Sequence, residues 1–140
     1  MKRTPLKRGK PLQAKKRINP ASGKRRAYRA SETGKLASLY MGLVKQLPCV
    51  ICGEMGVDAH HVICDRYGAR KSSDFDVIPL APLYHRADFP TGIHAGKETW
   101  REIWGADWLY IPATRAAVLA MVDDDTRRRL QAAFDEADKN

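Results

Sequence analysis

Residues 57–62 read VDAHHV, a short stretch of mixed polarity bounded by turn residues. Such a stretch is predicted as a strand. Successive side chains on a strand point to opposite faces. His60 and His61 therefore do not serve one ion together: one can hold a cation while the other faces the substrate. A second short strand is predicted over 76–80 (DVIPL), and the helix start APLYHRAD follows, with Pro82 tolerated in a first turn. His85 falls on that helix start, and His94 comes nine residues later. A hairpin followed by a helix can gather His60 and His85 around one cation and leave His61 free as a base. Phosphodiester hydrolysis needs those two parts, a base to activate water and a cation to stabilise developing charge.

Charge divides the chain. Residues 1–30 hold 12 of the 25 Lys and Arg and no Asp or Glu; the other 110 residues carry 13 basic and 16 acidic side chains, net −3. Residues 1–22, with three prolines set among basic residues, are read as an extended or disordered tail. Residues 23–140 are read as a single domain, with one modest core that would gain from a metal cross-link. A block of positive charge attracts a polyanion over long range and gains affinity from counterion release. Nucleic acid is the expected partner of the tail; solubility, ribosomal RNA and acidic membrane are the alternatives. Lys7, Arg8, Lys15, Lys16 and Arg17 are its candidate phosphate contacts, continued by Arg25 and Arg26 at the start of the first helix.

One or two helical segments are predicted from Gly23, with apolar residues at 28, 36, 37, 40, 43 and 44, ending near Pro48. Residues 64–75 read as a loop between the two strands, and its Arg66, Arg70 and Lys71 are further candidates to hold phosphates. A helix is expected after Thr91 or Gly96, ending near Gly105, with Trp100, Ile103 and Trp104 on one core-facing side. Trp100–Trp108 reads as core or as a dimer surface, and the oligomeric state stays open. Two more helices are predicted, over 113–122 and 126–137, the second with Leu130, Ala133 and Phe134 on its apolar side. The acidic run 123–125 suits that helix's N-terminus, and Arg127, Arg128 and Arg129 read as a solvated face ahead of a phosphate patch.

Three cysteines do not make a disulfide framework. Cys49 and Cys52 have the spacing of a metal corner or of a redox pair in a reducing compartment. The redox reading is weaker, because no strand feeds a helix that starts at the first cysteine. Structural zinc wants four ligands, and this pair supplies two. Cys64, His85, His94 or a carboxylate are candidates for the rest. The chain has no run of 18 apolar residues and no apolar segment behind its basic N-terminus, so neither a membrane span nor a secretory signal is predicted, and a cytoplasmic location is expected.

The ordered set PCVICG…DAHHVI…DVIPL…YHRAD…HAGKETWREIWG resembles the HNH nucleases of ββα-metal fold, closest to the phage Ref-like recombination-enhancement nucleases and related small prophage proteins. The resemblance covers roughly residues 48–105. It implies an α+β fold in which a ββα-metal finger is embedded in flanking helices. It implies that His61 is the general base, that His60 and His85 are catalytic-metal ligands, and that Asp76 holds the middle position of the motif, bracing the loop or orienting the base. It also implies that Asp58 binds the ion or orients a histidine, and that His94 serves either the catalytic or a structural metal. Family members carry further zinc ligands where this chain has Ala81 and Tyr84. The structural set is therefore expected to be Cys49 and Cys52, completed by His94 or Cys64.

The expected activity is metal-dependent DNA cleavage with weak sequence preference, in phage recombination or DNA processing inside a bacterial host. Mg²⁺ is the expected working ion, with Mn²⁺, Zn²⁺ or Ni²⁺ as alternatives and Zn²⁺ at the structural site. DNA, gripped by its backbone, and a recombinase filament are the expected partners. The competing reading is a non-catalytic, zinc-stabilised module that binds DNA or RNA.

Overall fold

The computed structural model describes residues 21–65 and 72–139. The expectations for the tail, including Lys7, Arg8, Lys15, Lys16 and Arg17, and for Arg66, Arg70 and Lys71 lie outside those residues.

Two serines start the first two helices. Ser22 caps α1 (Gly23–Ala30) by accepting from the Arg25 amide, and Ser31 caps α2 (Glu32–Val44) by accepting from the Gly34 amide. A hydroxyl at this position satisfies one of the amide groups that a helix start leaves without a partner. The Ser31 hydroxyl also donates to the Tyr28 carbonyl at 2.6 Å, so one residue both closes α1 and opens α2. β1 (Asp58–His61) and β2 (Val77–Leu80) form an antiparallel hairpin in which Asp58 pairs with Leu80, Ala59 with Pro79, His60 with Ile78 and His61 with Val77. α3 (Pro82–His85) follows directly, with its proline in the first turn. α4 (Lys97–Trp104), a 3-10 turn (Asp107–Tyr110), α5 (Ile111–Ala120) and α6 (Asp124–Ala137) complete the chain.

The hairpin has a core on each face. Val77 packs with Leu36, Tyr40, Val44, Phe75, Val118, Leu130 and Phe134, supplied mainly by α2, α5 and α6. Tyr40, Phe75 and Phe134 meet there with ring centroids 5.2 to 6.0 Å apart, within the range favoured by aromatic pairs. Ile78 and Leu80 pack on the other face with Cys49, Cys64, Ile93, Trp100 and Ala106. Consecutive residues of β2 thus enter different clusters, as strand alternation requires. This is an α+β chain whose small hairpin is flanked by helices.

Some sequence expectations change. Of the aromatic stripe on α4, only Trp100 is buried; Ile103 and Trp104, in the helix's last turn, are exposed, with Trp104 set edge-on against Tyr84. Arg127 and Arg128 pair with Asp124 and Asp125 one turn earlier, and Arg129 with Glu32, which favours the solvated-face reading. Among the described residues no helix is long and apolar enough to cross a membrane.

Candidate metal centre and the cleft across the hairpin

Alternation separates the two adjacent histidines as the sequence predicts. His60 shares a face with Ile78 and is fully buried; His61 shares a face with Val77 and is partly exposed.

On the His60 face, three histidines converge. The nitrogens that His60, His85 and His94 can offer to an ion all lie within 4.8 Å of one another, and Nε2 of His85 is 3.2 Å from Nε2 of His94. β1 supplies the first, the end of α3 the second and the loop before α4 the third. That loop is drawn tight. The Ile93 amide donates to the Tyr84 carbonyl at 2.9 Å, which ties the residue before His94 to the residue before His85. A Cβ at Gly92 would lie 2.0 Å from the Ala87 carbonyl oxygen, so a side chain at that position would open the loop.

Carboxylates stand behind two of the rings. Nε2 of His60 bonds Asp107 Oδ2 at 3.2 Å, and Nδ1 of His85 bonds Asp58 Oδ2 at 2.8 Å. Carboxylate–histidine pairs of this kind fix the ring orientation and tautomer of metal ligands and raise their basicity. Asp107 is fully buried and also accepts from the amides of Ile63 (2.6 Å) and Cys64 (3.1 Å). Burial alone would raise its carboxyl, but the His60 bond and the two amides outweigh that and hold it below its ordinary value. Burial also depresses His60, against the pull of Asp107, and so favours the neutral imidazole that a metal requires. The hydrogen bond from His85, opposed by partial burial and helped by Arg86, holds Asp58 below the usual carboxylate range.

The fit of this cluster to an ion rests on one atom. With Nε2 of His60 engaged by Asp107, Nδ1 is buried and has no hydrogen-bond partner. An orphaned buried nitrogen is costly unless something occupies its lone pair. The set is also graded, with His60 buried, His85 partly buried and His94 exposed. Three protein ligands with one open side match catalytic metal sites; structural zinc is closed by four.

Across the strand, Nε2 of His61 bonds Asp74 Oδ1 at 2.8 Å. Burial, with the negative charge of Asp74 nearby, raises the Tyr28 phenol above its ordinary value. His61 and Asp74 line a cleft of about 710 Å³ whose far wall is α1, with Arg25, Tyr28 and Arg29.

Some alternatives left open by the sequence are decided, and other assignments are corrected. Asp76 does not orient His61. Its carboxylate takes a 2.9 Å bond from Arg115, and its carbonyl accepts from the Val62 amide, so it braces the hairpin end. Asp58 backs His85 and is not one of the converging ligands. His94 belongs with His60 and His85, not with the cysteines. Cys64 is buried in the apolar cluster, and burial pushes its thiol up to about 11, which suits a packed thiol and not a ligand. Among the described residues the histidine cluster is the one group of three or more metal-capable side chains, so Cys49 and Cys52 have no third partner there. Cys49 Sγ instead accepts from the Ala81 amide at 3.3 Å and the Ile51 amide at 3.5 Å. Asp74 and Asp107 were not among the site residues the sequence singled out: they lie 13 residues from His61 and 47 from His60, separations that leave no local signal.

No curated protein and no solved structure matches this chain. A family described as a protein of unknown function (DUF968) matches residues 7–121. That match spans well over half of the chain, which therefore belongs to the DUF968 family.

Proposed function

We propose that this chain is a metal-dependent DNA endonuclease of HNH type, hydrolysing phosphodiester bonds with weak sequence preference. The observation that carries the reading is the orphaned, buried Nδ1 of His60, set among His85 and His94 with a carboxylate behind two of the three rings. Three imidazoles are a poor set for Mg²⁺, which prefers oxygen ligands, and a good one for Zn²⁺, Mn²⁺ or Ni²⁺. A divalent ion held there supplies Lewis-acid stabilisation of the charge that develops on the phosphate and the leaving oxygen.

The chain's own residues do the rest. Nε2–H of His61 donates to Asp74, which leaves Nδ1 with a free lone pair to take a proton from water. Asp74 then stabilises the imidazolium that forms, as carboxylates do beside catalytic histidines. In this reading the base and the ion approach one diester from the two faces of β1, where strand alternation puts His61 and His60. Work in phage recombination, with a recombinase filament as partner, is the setting that the resemblance to Ref-like nucleases suggests.

The test is a plasmid-nicking assay with Mn²⁺, Zn²⁺, Ni²⁺ and Mg²⁺ in turn, with and without a recombinase filament. His61→Ala is expected to lower cleavage by about 10²–10⁴-fold while keeping its bound metal, and His60→Ala to lose the metal. Metal uptake without cleavage of duplex, single-stranded or branched DNA would leave a non-catalytic binding module and overturn the nuclease reading.

A further inference from the structure

Six of the described arginines lie outside α1, and every one is paired with a carboxylate: Arg86 with Asp58, Arg101 with Asp65, Arg115 with Asp76, and Arg127, Arg128 and Arg129 with Asp124, Asp125 and Glu32. α1 is the exception. Its sequence GKRRAYRA holds four cations and no acid, and among the described residues none of Lys24, Arg25, Arg26 and Arg29 has an ion-pair partner.

α1 also buries no residue of its own, so packing does not explain its presence. Yet it is fixed in place. Ser31 locks its end to α2, and Tyr28 lines the same cleft as Asp74. A Cβ at Gly34 would lie 2.0 Å from the Tyr28 carbonyl oxygen, so α1 lies against α2 at a distance that only glycine permits. Residues three and four apart share a helix face. Arg25, Tyr28 and Arg29 accordingly line the cleft that contains His61, while Lys24 and Arg26 do not. The Asp74 carboxylate, which also lines the cleft, is engaged by His61 and makes no ion pair with these arginines.

We propose that Arg25 and Arg29 form a phosphate-binding subsite for the nucleic-acid backbone, across the cleft from His61, and so position the diester for cleavage. The proposal rests on the nuclease reading of His61. A planar guanidinium matches phosphate oxygens with two parallel hydrogen bonds, which a lysine does not reproduce. Two such contacts fix the register of a backbone without reading its bases. Arg25 and Arg29 are positioning residues here, and the proton chemistry stays with His61.

The experiment uses the full chain, with R25A/R29A, R25K/R29K and the control R128A on α6. Oligonucleotide binding is followed by fluorescence anisotropy across a salt series, and plasmid cleavage gives kcat and KM. Each phosphate contact contributes about −0.9 to the slope of log K against log salt on duplex DNA. R25A/R29A is expected to flatten that slope by nearly two and to lower kcat/KM about 10–100-fold, with circular dichroism unchanged because these side chains are exposed. R25K/R29K should recover the slope but not the kcat/KM, and R128A should change neither. If the wild type cleaves and R25A/R29A keeps both its slope and its kcat/KM, the subsite is refuted and the nuclease reading stands. If the slope flattens but the wild type cleaves nothing, the arginines bind phosphate and the positioning role falls with the nuclease reading. Displacement of the oligonucleotide by polyglutamate at matched charge, as effective as displacement by DNA, would overturn the assignment to phosphate.

Discussion

Asp107→Asn tests whether the buried carboxylate organises the metal centre. Asp107 accepts three hydrogen bonds: Oδ2 from His60 and the Ile63 amide, Oδ1 from the Cys64 amide. Asparagine keeps the shape but turns one acceptor into a donor. In the better rotamer its oxygen takes the Oδ2 position and its NH₂ faces the Cys64 amide, leaving both donors without an acceptor at a cost of at least about 1–3 kcal/mol. The two surviving bonds lose their charge assistance, about 1 kcal/mol each. The sum is roughly 3–5 kcal/mol, which at an m-value of about 2 kcal/mol/M lowers the urea midpoint by about 1.5–2.5 M. The second effect is on the ion. A neutral amide no longer raises the basicity of His60 or fixes its tautomer, and outer-shell changes of this kind cost about 10–100-fold in metal affinity. Urea unfolding of the metal-stripped protein reads the first quantity, and competition for Zn²⁺ with a chromophoric chelator reads the second. A variant that unfolds at the wild-type midpoint and binds Zn²⁺ as tightly would refute the organising role. A lowered midpoint with unchanged affinity would reduce Asp107 to a structural buttress for residues 60–64.

The other predictions concern different parts of the chain. Asp76→Asn should retain cleavage, because Asp76 is tied to Arg115 and not to His61. Burial raises the Asp76 carboxyl, opposed by Arg115, so its contribution to stability is present below the ordinary carboxylate range and is lost as pH rises through the raised value. The stability of the variant relative to wild type should therefore increase with pH across that window, as measured by urea melts at stepped pH. Gly34→Ala should displace α1, lowering oligonucleotide affinity while leaving Zn²⁺ binding intact; equal affinity with equal helicity would count against the packing derived from the Tyr28 carbonyl. A thiol reagent at pH 8 should label Cys52 in the native protein and spare Cys49 and Cys64 until unfolding, since Cys52 alone is exposed; peptide mapping reads the site.

What the sequence made legible was whatever one element decides alone. Alternation within β1 separated His60 from His61 with no knowledge of the rest of the chain. Pro82 marked the start of the helix that carries His85. The apolar positions of α2 were readable for the same reason. Residues whose roles depend on tertiary contact were not. Asp107 reaches His60 only because a 3-10 turn docks after α4, and Asp74 reaches His61 only because residues 73–76 turn back under the hairpin. His94 could not be assigned from its spacing to His85, since the Gly92 close approach decides that it folds back. The choice between the two roles expected of Asp76, bracing or orienting, was not legible because the partner that decides it, Arg115, lies 39 residues away on α5.

The incomplete cysteine corner raises a question of stability, because a small finger stripped of its zinc often does not fold. The structure answers it in two ways. At the corner itself, Cys49 Sγ takes amide hydrogen bonds from Ile51 and from Ala81, the position where a further ligand would stand, and both Cys49 and Ala81 are buried with Ile78, Leu80 and Trp100. Behind the hairpin, six large apolar side chains of α2, α5 and α6 bury against Val77 and Phe75, eight in all. At about 1.5–3 kcal/mol each, these contribute roughly 12–24 kcal/mol as an upper bound. A structural zinc in a small finger supplies about 10–16 kcal/mol. The helical layer thus supplies apolar burial that a small finger lacks, and the corner is held by backbone amides and the apolar cluster. That layer lies on the His61 face, and this leaves the opposite face free to give its histidines to a metal with an open side.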